Sequence, residues 1–268
     1  MVSALTRIAP PLGFGSRRAA LLIERNIYIY RKTWLVLLSG FFEPLFYLLS
    51  IGIGIGGLIG TVPGPDGRPI PYELFVAPAL LATSAMNGAI YDSTFNVFFK
   101  LNYEKTYDAV LATPLGVGDV ALGEITWALI RGTLYAIGFL VVIFVLGLVQ
   151  SPWMVFAIPA AILIGWAFAA VGMAATTFMR TWQDFDLIQL VLLPLFLFSA
   201  TFYPLTVYPE PLRTIVQLTP LYHGVDLLRS LTTGNVGPSI LIHVAYLLVM
   251  GVVGLAIVSR RLDKLLLK

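Results

Sequence analysis

Six stretches of roughly 20 mostly apolar residues recur along this chain, at about 34–59, 74–99, 121–149, 154–178, 187–205 and 239–259. No other feature constrains the fold as tightly. A helix of about 20 apolar residues crosses the ~30 Å hydrocarbon core of a bilayer with its backbone hydrogen bonds satisfied internally. The fifth stretch is the shortest and carries Pro194 and Pro204. Composition agrees with the pattern. Of 268 residues, 58% are hydrophobic and only 12% charged, about half the ~25% of an average soluble domain. A core of this size could not hide so much apolar surface from water, whereas a bilayer can. The expected fold is therefore all-α integral membrane with six transmembrane helices. With no polar linker to mark a boundary, residues 1–268 form one domain.

The charges orient it. The net charge is +3, and the basic residues gather near span ends, where lipid headgroups account for them better than nucleic acid does. With the N-terminus cytoplasmic, the inside holds Arg7, Arg17, Arg18, Arg25, Arg31, Lys32, Lys100, Lys105, Arg180, Arg260, Arg261, Lys264 and Lys268. The outside holds Arg68, Arg213 and Arg229, and Arg131 falls within the third span. That excess predicts both termini inside. Residues 1–20 lack the apolar run of a signal peptide, so none is expected to be cleaved. The segment RRAALLIERNIYIYRK (17–32) places Ala20, Ile23, Ile27 and Tyr30 near one face among basic residues. It reads as an amphipathic helix on the membrane surface, the alternative being an extension of the first span.

Few residues offer chemistry. The chain has no cysteine, which excludes disulfides and thiolate sites. The glycine run IGIGIGGLIG (51–60) is not followed by Lys-Ser or Lys-Thr, and no phosphate-binding loop occurs. Its glycines suit close helix packing or a loosened helix end. His223 and His243 each stand alone, without the spacing of a metal site, and no G-x-S-x-G elbow is present. Glu43, Asp92, Glu124 and Arg131 fall within spans, where charges are costly and face a partner, a bundle interior or an aqueous path. Glu124 and Arg131 share a helix face two turns apart. The loop KLNYEKTYDAVLATPLGVGD (100–119) contains a short amphipathic helix-forming stretch stopped by Pro114 and Gly116; it suits docking to a peripheral protein or a solvated turn. The loop at 61–73 is a Pro- and Gly-rich connector. Residues 201–239 are too apolar for a plain loop and too rich in proline for a span, so parts of them are expected to dip back into the outer leaflet.

In this order, these parts resemble an ABC-2-type transporter permease over nearly the whole chain. Within that family they are most similar to the nodulation lipo-oligosaccharide exporter permeases. The resemblance is carried by FFEPLFYLLSIGIGIG (41–56), YEKTYDAVLATPL (103–115), GEITWALIRG (123–132), GMAATTFMRTWQDFD (172–186) and LFLFSATFYPLTVYPEPL (195–212), running into TPLYHGVDLLR (219–229). It implies a bacterial inner-membrane exporter built from two permeases, this chain with a second copy or a sister permease, and two cytoplasmic ATPases that bind ATP and Mg. The chain itself would be non-catalytic and hold no cofactor. Residues 16–33 would be an interfacial helix, 103–114 a coupling helix and 204–235 an outer re-entrant segment. The ATPase would meet Glu104, Lys105, Thr106, Tyr107, Asp108, Val110, Leu111, Thr113, Pro114 and Arg25. Glu43, Asp92, Glu124 and Arg131 are pathway candidates, and Tyr203, Pro204, Pro220 and His223 outer-gate candidates. The cargo would be amphipathic: a lipo-oligosaccharide, glycolipid or hydrophobic drug. A membrane-embedded lipid or glycan transferase and a passive channel are the alternatives, and the scattered carboxylates speak against the first.

Overall fold

The computed structural model describes residues 19–32 and 34–266. The expectations for Arg7, Arg17, Arg18 and Lys268, and for positions 16–18 and 33 of the surface helix, lie outside these residues.

Helix α1 (Ala19–Lys32) precedes α2 (Trp34–Tyr47), which continues through a π-helical stretch (Leu48–Ile55) into α3 (Gly56–Ile59). A short antiparallel hairpin of β1 (Thr61–Pro63) and β2 (Pro69–Pro71) pairs Val62 with Ile70. Then come α4 (Tyr72–Tyr91), a π-helical turn (Asp92–Asn96), α5 (Val97–Asn102), α6 (Thr106–Leu111) and α7 (Val117–Val145). A 3-10 turn (Pro152–Phe156) opens α8 (Ala157–Thr176), followed by α9 (Asp184–Leu197), α10 (Leu212–Leu218), α11 (Pro220–Thr233) and α12 (Ser239–Leu266).

Among the described residues, five helical stretches are long and apolar enough to cross a membrane: 42–59, 72–102, 117–145, 152–176 and 239–266. The fifth apolar stretch, 187–205, becomes α9, which has 14 residues. That is about 21 Å of helix, short of the ~30 Å hydrocarbon core. Pro194 lies inside α9, and beyond Leu197 the chain turns, with Ala200 at φ +54°. The connector expected at 61–73 contains the hairpin, whose turn uses Gly67 at φ +78°.

Helix α4 is the centre. Val76, Ala77, Ala79, Ala82, Met86 and Ala89 are fully buried, and α7, α8 and α11 pack around it. A helix buried on every side needs small residues where its neighbours approach, and alanine supplies them. Helices α8 and α12 touch almost backbone to backbone: a Cβ on Gly254 would lie 2.8 Å from the carbonyl carbon of Ala170. The glycine run behaves differently. Gly57 has open space beside it, and Gly52 and Gly54 meet only their own helix, so most of the run loosens the helix.

Helix α1 packs against α7 through a face other than the one assigned to the membrane surface. Ala19, Leu22 and Asn26 are buried, whereas Ile27 is half exposed. Gly123 of α7 explains this, because its missing side chain leaves the notch that Leu22 fills.

Hydrogen bonds from backbone and side chains fix the two ends of the bundle. At the basic end, Arg261 of α12 donates to the Thr177 carbonyl beyond α8, 3.1 Å away, and α1, α5 and α6 gather there. At the far end, the Gln150 amide donates to the Thr232 carbonyl of α11 at 3.1 Å, and Arg229 of α11 reaches the start of α4.

Candidate functional site

Three polar clusters interrupt this apolar bundle. The first lies under α6. Lys100 of α5 donates to both carboxylate oxygens of Glu124 on α7, at 2.9 and 2.8 Å, and reaches the Asn26 side chain of α1 at 3.4 Å. All three residues are buried. Taking an ion pair out of water is costly, and excellent geometry with further hydrogen bonds is what offsets it. Tyr107, expected on the docking surface, is only 1% exposed and anchors α6 onto this cluster instead. Burial, and then the adjacent Glu124 carboxylate, push its hydroxyl well above the usual tyrosine range, so it stays neutral. Arg25 is half-buried beside it. Glu104, Lys105, Asp108, Thr113 and Pro114 are exposed, and Thr106, Val110 and Leu111 are partly so. Lys105 enters α6 at φ +52°, the left-handed region that costs a residue with a side chain about 1 kcal/mol.

The second cluster walls a pocket of about 450 Å³ between α1, α2, α4 and α7. Arg131 donates to Asp92 at 2.5 Å, to the Tyr30 hydroxyl at 3.1 Å and to the Tyr135 hydroxyl at 3.0 Å. Asn96 donates to Asp92 and to the Tyr30 hydroxyl. On the α2 side, Asn87 approaches Glu43 at 3.4 Å. The fold thus brings Glu43, Asp92 and Arg131 together and sends Glu124 to the first cluster. The sequence did not single out Asn96 or Tyr135, and it placed Tyr30 only on a face of the surface helix. A signal was available: Asp92 with Asn96, and Arg131 with Tyr135, are polar pairs at i,i+4 on otherwise apolar helices.

The third cluster is at the far end. The two histidines that looked solitary in sequence face each other, Nδ1 to Nδ1 at 2.8 Å. His243 Nε2 lies 2.9 Å from Asp226. A neutral imidazole has one donor and one acceptor. With His243 donating through Nε2 to the carboxylate, its Nδ1 accepts from His223. Tyr246 stacks on His223 with ring centres 3.9 Å apart. Nearby, buried Arg229 donates to the carbonyls of Phe75 and Ala200 at 3.2 and 2.9 Å and lies 3.7 Å over the Phe75 ring. Tyr203 is exposed, and Pro204 and Pro220 are partly buried, Pro220 opening α11 at its first turn. Among the described residues, no group of three or more His, Asp or Glu is arranged to hold a metal ion.

Comparison with known proteins gives the family. Residues 18–233 match the family described as ABC-2 type transporter. Nodulation protein J of Rhizobium leguminosarum bv. trifolii is 32% identical over 245 residues, covering 89% of this chain and 92% of the relative. Nodulation protein J of Rhizobium meliloti (strain 1021) is 29% identical over 245 residues, with the same coverages. That of Azorhizobium caulinodans is 24% identical over 250 residues, covering 91% and 96%. With its apolar spanning helices and a match over most of its length, the chain belongs to the ABC-2 type transporter family, as a multi-pass membrane permease.

Proposed function

We propose that the chain is the permease subunit of an ATP-driven exporter that moves an amphipathic cargo, a lipo-oligosaccharide or related glycolipid, out of the inner leaflet of the bacterial inner membrane. In this reading the basic end is cytoplasmic, with both termini there. The segment around α9 completes a sixth crossing with the turn that follows it. Residues 204–235 fold back into the outer leaflet as a cap on the exit. Two permeases, copies of this chain or this chain with a sister, pair with two ATPase subunits that hold ATP and Mg; no cofactor is assigned to this chain.

The observation that carries the reading is the join beneath α6. An exposed surface of Glu104, Lys105, Asp108, Thr113 and Pro114 sits on one buried side chain, Tyr107, whose neighbours tie α1, α5 and α7 together. A partner pushing on α6 would displace three helices as a unit, and Asp92 and Arg131 of the pocket lie on the same stretches of chain. For ATP to shift the permease between states, the ATPase must contact those states differently, and this surface suits such a contact.

The test is reconstitution of the chain with its cognate ATPase. Asp108→Arg should lower cargo-stimulated ATP hydrolysis at least about fivefold while leaving the thermal midpoint nearly unchanged, since exposed substitutions usually stay within ~0.5 kcal/mol. If chain and ATPase do not associate at micromolar concentration, the proposal fails.

A further inference from the structure

We infer that the pocket between α1, α2, α4 and α7 is a binding station for the uncharged, polyhydroxylated headgroup of the cargo, and that it excludes phosphate. The inference rests on the export reading and adds to it where the headgroup sits and which headgroups are admitted.

The volume, about 450 Å³, is that of a small-ligand site. One wall is the π-helical turn Asp92–Asn96. Such turns give up regular hydrogen bonding and recur at functional sites. The wall holds unspent bonding capacity: Asp92 is 6% exposed, and while one of its oxygens is taken by Arg131 and Asn96, the other has no partner. The Arg131 Nε–H is also unpartnered. A buried polar group without a partner is expensive, and here an unused donor and an unused acceptor belong to two residues that line one cavity. A hydroxyl, which both donates and accepts, satisfies either.

Charge sets the class. Glu43, Asp92 and Arg131 line the pocket. Arg131 is already committed to Asp92 at 2.5 Å and is flanked by Tyr30 and Tyr135. Among the described lining residues, no free cation remains to receive a phosphate, which would stand beside Glu43 in a medium that screens poorly. Amides and hydroxyls supply the rest of the polar wall, from Thr83, Ser84, Asn87 and Asn96. Tyr47, Tyr91 and Phe95 supply flat apolar faces, and Phe95 is held against Phe185 with ring centres 3.9 Å apart. Flat rings beside paired donors and acceptors match a pyranose, whose C–H faces are apolar and whose rim is hydroxyl. Access is along α2, where Glu43 and Tyr47 are exposed.

The experiment uses the full chain in phosphatidylcholine nanodiscs and three photoreactive dodecyl amphiphiles, each with a diazirine on the chain carbon next to the headgroup. The headgroups are maltose, phosphate and ammonium. The maltoside should label peptides carrying Tyr30, Asn87, Tyr91 or Asn96, with unlabelled dodecyl maltoside competing, at least about tenfold more efficiently than the phosphate or the amine. Asn87→Leu, close in volume to the native residue, should weaken competition about tenfold, the scale of one good hydrogen bond. Tyr91→Phe is a second variant, and both are scored only after their thermal midpoints match the native chain. Equal labelling by the three headgroups, stronger labelling by phosphate or ammonium, or maltoside labelling elsewhere overturns the inference, as does unchanged competition in both variants. ATP-dependent export is measured in parallel with the cognate ATPase. Export without sugar-specific labelling removes the pocket assignment alone. Labelling in a chain that supports no ATP-driven export removes the export reading and leaves a glycolipid-binding membrane protein.

Discussion

The two ends of the bundle bury polar groups in different ways. At the basic end, side chain meets side chain across helices: Lys100 with Glu124 and Asn26, and Arg131 with Asp92, Tyr30 and Tyr135. At the far end, side chains largely satisfy backbone. Arg229 caps the carbonyls of Phe75 and Ala200, Tyr72 donates to the Phe202 carbonyl, and Tyr246 to the Leu218 carbonyl. Side-chain pairs between helices fix the helices relative to one another. The carbonyls of Ala200 and Phe202 belong to an irregular segment, and side chains on them hold that segment without requiring it to become helix. One end is thus organised to move as a block, and the other to keep non-helical chain at depth, which is tolerated only where protein satisfies it.

The comparison breaks most readily at Lys100. Lys100→Met leaves the Glu124 carboxylate buried without its counter-charge, a loss of about 3–5 kcal/mol. The double change Lys100→Met with Glu124→Leu should recover most of it, because two apolar residues in place of a buried pair are often neutral. Unfolding of the two single variants, Lys100→Met and Glu124→Leu, and of the double in micelles measures the coupling, and additive losses would show that the two ions do not act as a pair. Arg229→Lys comes next. A lysine keeps the charge but not the planar fork that reaches two carbonyls while lying on Phe75. The expected loss is about 2 kcal/mol, with faster proteolysis near Ala200 as its local signature. A loss at Arg229 as large as that at Lys100, without local proteolysis, would remove the distinction between the ends.

Much of this was legible in the sequence, and unevenly so. Apolar length predicted the helices because hydropathy integrates over many residues and tolerates single errors. At 187–205 it matched a span in composition, where the helix α9 itself stops after Leu197. The charges within spans were visible one by one, but their partners were not. Lys100 and Glu124 lie 24 residues apart on antiparallel segments, and no periodicity of one helix reports a neighbour. Tyr107 shows the limit most clearly. On a six-residue helix, an aromatic side chain presents the same pattern whether it faces a partner protein or the bundle beneath, and only packing decided for the bundle. The face of α1 that meets α7 was not legible for the same reason, since its register follows from a notch at Gly123 on another helix.

The smallest expected effect sharpens the far-end description. If Asp226, His243 and His223 form the neutral chain described above, the carboxylate acts mainly as an acceptor. Asp226→Asn retains an acceptor oxygen of nearly the same size, so the His243 Nε2–H keeps a partner and the Nδ1 contact to His223 is unchanged. The loss should then be below ~1 kcal/mol, as for one neutral hydrogen bond replacing a charge-assisted one. If His243 were instead a cation balanced by Asp226, the same change would strand a buried charge and cost ~3–5 kcal/mol. His223 would then face a ring with donors at both nitrogens and would have to accept through Nδ1. Unfolding of Asp226→Asn, read beside the Lys100→Met result, therefore decides whether the far end shares the ion-paired design of the basic end or is held by neutral imidazoles hydrogen-bonded to one carboxylate between α11 and α12.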